Sequence, residues 1–212
     1  MQQTQSSDTA HSSTRTSVAR FATEALAPWV WVLGLPLVVA WQVTGRALGL
    51  TVLWGLVVGV TGSLIPMAVI TRGAKQGKWD SHHVTNRAGR LIPFMACISS
   101  LGLGFAILVV GAAPHEMIAL AGAELACLVA ALAITFGLRF KVSMHAAVAT
   151  GAVIILMITY SPVLLVLGLL VIWVCWSRVE LRDHTTSQVL VGALLGTALG
   201  GLGYAALLAA LG

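Results

Sequence analysis

The sequence is short of charge. Of 212 residues only 9% are Asp, Glu, Lys or Arg, against roughly 25% in an average soluble domain. Acids are the scarcest class, with Asp+Glu 7 against Lys+Arg 12 and a formal net charge of +5. Cysteine is also sparse. Cys97, Cys127 and Cys175 lie inside apolar runs without CxxC or His-rich spacing, which argues against a disulfide framework and a zinc site and leaves them as small buried hydrophobes. Ionisable residues near mid-span are essentially missing, which counts against a transporter. The basic residues sit in breaks between apolar runs, where they report membrane topology and anionic headgroups, so nucleic acid is discarded as a partner.

Apolar sequence is what the chain has in abundance, at 58% hydrophobic residues and a mean hydropathy of +0.94. A span needs about 20 predominantly apolar residues. The runs predict spans near 27–44, 49–70, 91–112, 116–137, 144–160, 162–176 and 188–211. The expected fold is therefore all-α, a polytopic transmembrane helix bundle of about seven spans, with six as the alternative count. Prolines mark two of the breaks, at 111–116 and at Ser161-Pro162, since proline disfavours helix at the residue before it. Read without a turn, 144–176 would be a helix of about 50 Å, well beyond a hydrocarbon core of roughly 30 Å. A hairpin fits better.

Residues 1–24 are rich in Ser, Thr and Gln and predict a disordered arm ahead of a transmembrane domain at 25–212. No convincing small-residue cleavage site follows the first run, which reads as a retained span. Trp29, Trp31, Trp41, Trp173 and Trp176 lie near run ends and fit interfacial belts. Gly192, Gly196 and Gly200 recur every four residues and read as a close-packing face.

Seven spans put the N-terminus and the breaks 71–90, 138–143 and 177–187 on one side of the membrane. Eleven Lys and Arg fall there, against Arg46 alone on the other side, and setting aside Arg90, Lys141 and Arg178 leaves eight to one. By the positive-inside rule the first side is cytoplasmic and the C-terminus extracytoplasmic, in a plasma or inner membrane. The same breaks hold most of the polar chemistry, as KWDSHHVTNRAGR (78–90), RFKVSMH (139–145) and WSRVELRDHTTSQ (176–188). Arg, Lys and His converging at a bundle mouth suit a phosphate dianion. Ser143 and Asp183 each precede an apolar run and are fair N-caps, and helix N-termini favour anions.

These breaks resemble the motifs KX6RP, PSGH and SRX5HX3D of the type 2 phosphatidic acid phosphatases, the superfamily that shares an active-site plan with vanadium haloperoxidases. Ser177-Arg178, five residues and His184 match the third motif. Val142-Ser143-Met144-His145 approximates the second, keeping Ser and His. Arg90 supplies the arginine of the first, with His83 at the lysine position and Leu91 in place of proline. The resemblance spans about residues 78–196 and marks a divergent member with a core like that family's. It implies that His184 is a nucleophile forming a phosphohistidine and that His145 protonates the leaving group and then activates water. Arg90, Arg178, Ser143, Lys141 and His83 would bind the phosphate. No metal or other cofactor is implied. Gln188 replaces the motif's aspartate, one helical turn after His184, and its amide oxygen can accept an imidazole N–H and fix the tautomer. Asp80 is the alternative acid. The implied activity is hydrolysis of a lipid phosphate or polyprenyl phosphate, and the alternative is a non-catalytic lipid-phosphate-binding membrane protein.

Overall fold

A computed structural model describes residues 2–77 and 88–212, and the described residues form eight helices and no strand. The helices are α1 (Gln2–Ala25), α2 (Pro28–Val43), α3 (Leu48–Lys75), α4 (Leu91–Val110), α5 (His115–Gly137), α6 (Met144–Thr159), α7 (Pro162–Glu180) and α8 (Thr186–Leu211). Helix α3 passes through a π-helical segment at Val60–Leu64 and α8 through another at Gly196–Leu202.

Each apolar run is helical, and α3, α4, α5, α7 and α8 are long and apolar enough to cross a membrane. Helix α2 joins them only together with Thr14–Ala25, across a bend of 42°. The count by length is thus five or six, because α6 has only 16 residues, about 24 Å of helix. Its position explains the shortness. Helix α6 packs against α2, α5, α7 and α8 and buries His145, Ala146, Ala147, Ala149, Gly151, Ala152, Val153, Ile155 and Leu156. A helix that is apolar all round belongs in the interior. Wrapped by its neighbours, it has less need to match the bilayer thickness.

The glycines of α8 permit the closest of these contacts. A Cβ on Gly192 would meet the Ser143 carbonyl, one on Gly196 the Ala147 carbonyl, and one on Gly200 the Gly151 Cα at 3.0 Å. Residues four apart on α8 therefore seat on residues four apart on α6, as expected where small residues let helix backbones approach.

The N-terminal arm carries helix α1. Its composition is polar, but Ala19, Ala22 and Thr23 repeat at helical spacing and are buried, together with Ala27. This narrow small-residue face packs on α7. Arg15 pairs with Glu180 at 2.8 Å, and the Thr23 and Ser177 hydroxyls lie 3.0 Å apart.

Candidate functional site

Two tight turns bring the second and third polar breaks together. After α5 the chain turns through Arg139 (φ 54°) and after α7 through Arg182 (φ 57°), left-handed positions more often filled by glycine at helix ends. The backbone N–H groups of Asp183 and His184 both donate to the Arg178 carbonyl, each at 3.1 Å. Ser143 caps α6 as expected, its Oγ accepting the Ala146 N–H at 3.5 Å. Asp183 does not cap α8. Thr185 does, two residues later, within a capping box completed by Gln188. Asp183 is left to pair with Arg178, its Oδ2 lying 3.0 Å from Nη2. The Lys141 ammonium donates to the Asp183 carbonyl at 2.6 Å, and the Ser143 N–H donates to the Gln188 carbonyl at 3.3 Å. These bonds clamp one break to the other.

Arg90, at the end of the short turn Ala88–Arg90 ahead of α4, reaches the same place. Its Nη1 donates to the Val142 carbonyl at 2.8 Å. Arg90, His145, Arg178 and His184 all line one cavity of about 200 Å³, and all four are buried, Arg178 to 1% exposure. Ser143 and Lys141 do not line it and act through the loops they tie. His83 and Asp80 lie outside the described residues. The rest of the lining is mainly apolar, with Pro93 and Phe94 near the basic end and Leu35, Leu101, Ile155 and Gly200 further along the helices.

Arg178 is held from two sides, and one of its partners is itself anchored. Asp183 takes Nη2, Thr23 Oγ1 takes Nη1 at 3.5 Å, and Ser177 links Thr23 to the Val174 carbonyl at 2.7 Å. Its Nε has no hydrogen-bond partner among the described residues. Burying a charge with an unspent donor is costly, and an anion in the cavity would relieve that cost.

The protonation of His184 follows from its neighbours. Its Nδ1 lies 3.1 Å from Gln188 Oε1, and the Thr185 backbone N–H lies 3.2 Å from the same atom. A backbone N–H can only donate, so the side-chain atom at that point is the amide oxygen. The imidazole must then carry its proton on Nδ1, which leaves the Nε2 lone pair free. Burial, reinforced by the charges of Arg90, Lys141 and Arg178, pushes the His184 pKa down from 6.5 to about 3. The imidazole is therefore neutral near pH 7.

No protein family, curated protein or solved structure matches the chain. The site therefore stands on its own residues. Among them no group of three His, Cys, Asp or Glu gathers to hold a metal ion within the described residues.

Sequence reasoning missed several contributors. Thr23 lies 155 residues from Arg178, and nothing local to it signals that contact. Trp31, read as an interfacial anchor, lines the cavity instead. Glu124 is an acid in the middle of α5 that also lines the cavity, so the chain does carry a mid-span ionisable residue. The single carboxylate was hidden by the apolar residues around it, and the sequence argument against transport loses its premise.

Proposed function

We propose that the protein is an integral membrane phosphatase that hydrolyses a lipid phosphate, of the phosphatidate or polyprenyl phosphate or diphosphate type, through a phosphohistidine on His184. One observation carries this reading: a neutral imidazole with its Nδ1–H spent on Gln188 lines the same cavity as the buried cations Arg90 and Arg178.

The chemistry divides between two histidines. Nε2 of His184 attacks phosphorus, the bond from phosphorus to the ester oxygen breaks, and His145 donates a proton to the departing alkoxide. Water then attacks the phosphohistidine, His145 takes its proton, and inorganic phosphate leaves with the Nε2–P bond broken. Arg90 and Arg178 neutralise charge on the non-bridging oxygens, a task that is mainly electrostatic. The scheme uses no metal. The lining supports a lipid substrate, since the cations share a mainly apolar cavity. By the positive-inside rule the site opens to the cytoplasm.

Gln188 supports a second reading. It fixes the His184 tautomer but carries no charge to stabilise an imidazolium, so a protein that binds lipid phosphate without turnover fits the same geometry. Phosphate release from a panel of lipid phosphates by detergent-purified protein separates the two. Release that falls in both His184→Ala and Arg178→Ala supports the phosphatase. Binding without release supports the binder, and release unchanged by both substitutions contradicts the site.

A further inference from the structure

The deep end of the cavity holds two polar groups that the phosphatase chemistry does not use. Glu124 Oε2 and Trp31 Nε1 are both shut off from solvent, and neither has a hydrogen-bond partner among the described residues. Both residues line the cavity. A Cβ on Gly62 of α3 would stand 3.8 Å from Glu124 Oε2, 2.8 Å from Cγ1 of Val32, the residue after Trp31, and 3.4 Å from Leu101 Cδ1, so the helices bring these residues to one level. Leu101 thus marks the depth of Glu124. It follows Arg90 by eleven positions along α4 and its leading turn, or about 16 Å of helix. Between the two levels the wall is chiefly apolar, including Phe94, Met67, Leu128 and Ile155.

An acid in a membrane span is rare and usually functional. An unbroken hydrocarbon tail at this depth would leave both groups unsatisfied, whereas a tail carrying a hydroxyl would relieve that cost. Trp31 offers a donor, and Glu124 offers an acceptor, or a donor as well when protonated. A hydroxyl can accept from the indole and donate to the carboxyl, satisfying both.

We propose that Glu124 and Trp31 form a polar subsite that binds a hydroxyl-class group on the tail of an amphiphile and disfavours an unbroken apolar tail of the same reach. The assignment of the tail to a phosphate ester rests on the proposed function, and the subsite itself does not.

The test is calorimetric binding to detergent-purified protein, using two pairs of probes. The first pair is an alkylphosphonate long enough to reach about 16 Å below its headgroup, with and without a terminal hydroxyl. The second, free of phosphorus, is an alkan-1-ol and the chloroalkane of equal length. The wild type is expected to favour the hydroxylated member of each pair by about tenfold. Glu124→Leu is expected to abolish the preference and Glu124→Gln, which keeps a hydrogen-bonding group, to retain most of it. No preference in either pair, or an equal preference in wild type and Glu124→Leu, overturns the subsite. Phosphonates that bind without hydroxyl preference overturn it while leaving the phosphate reading intact. Preference for the alkanol with no phosphonate binding supports the subsite and removes the phosphate reading.

Discussion

The side chain of Gln188 holds two groups with one atom: its Oε1 lies 3.1 Å from His184 Nδ1 and 3.2 Å from the Thr185 backbone nitrogen. It is both the third residue of a capping box and the anchor of the imidazole. Gln188→Ala should therefore lose both functions, costing about 1 kcal/mol of stability through the cap and lowering phosphate release. Gln188→Asp keeps an acceptor for both donors and adds charge beside the imidazolium. It should turn over faster than wild type, as a steady-state comparison on one lipid phosphate will show. Loss of the acid in serine triads costs about 10⁴ in rate, which bounds the gain.

His184 should remain neutral far below its ordinary pKa. Its folded-state value is pushed down to about 3, so between that value and 6.5 the unfolded chain binds a proton that the folded chain does not. Its contribution to stability is then present above about pH 6.5 and is lost progressively as pH falls toward 3. Nitrogen NMR of labelled histidine should show the Nδ1–H tautomer of His184 unchanged at pH 5 in ligand-free protein. Titration of His184 near pH 6.5 would contradict the burial and the charge field around it.

Arg178 should be replaceable by no other residue. Its guanidinium engages Asp183 and Thr23 while Nε stays open, a division that lysine cannot reproduce. Both Arg178→Lys and Arg178→Ala should lower kcat/KM by about 100-fold or more, the scale seen for removal of one oxyanion donor. Thr23→Val should act more mildly, removing hydrogen bonds to Ser177 and Arg178 for about 1 kcal/mol of stability and raising KM for a lipid phosphate.

Glycine substitutions should separate the α6–α8 seam from the lipid-facing surface. Gly196→Ala sets a methyl against the Ala147 carbonyl, whereas a Cβ on Gly102 meets nothing within 4 Å. Thermal unfolding in detergent should report about 1–3 kcal/mol of destabilisation for the first. The second should stabilise by roughly 0.5–1 kcal/mol, the gain expected when alanine replaces glycine within a helix.

The spans were legible because hydrocarbon demands long apolar runs, and the Ser143 cap because its signal is local. The contact between His184 and Gln188 was legible for the same reason, being one helical turn. Asp183 was misread as a cap because α8 begins at Thr186, which puts Thr185 and not Asp183 at the N-cap position. Thr23 was hidden because its burial depends on a partner helix far along the chain, and the polar residues around it masked the spacing of Ala19, Ala22 and Thr23. Glu124 was hidden because one carboxyl barely changes the apolar character of α5, although its environment changes completely once the bundle closes around it.

The most direct measurement is an acid-labile, base-stable phosphoryl group trapped on the protein. Detergent-purified wild type is mixed with a phosphorus-labelled lipid phosphate, quenched within the first turnover, and the labelled residue identified by mass spectrometry. The account predicts label on His184, none in His184→Ala, and accumulation in a variant of His145 when the leaving group needs no protonation. Lipid phosphate hydrolysed with no label on His184, or with label on another residue, would contradict it.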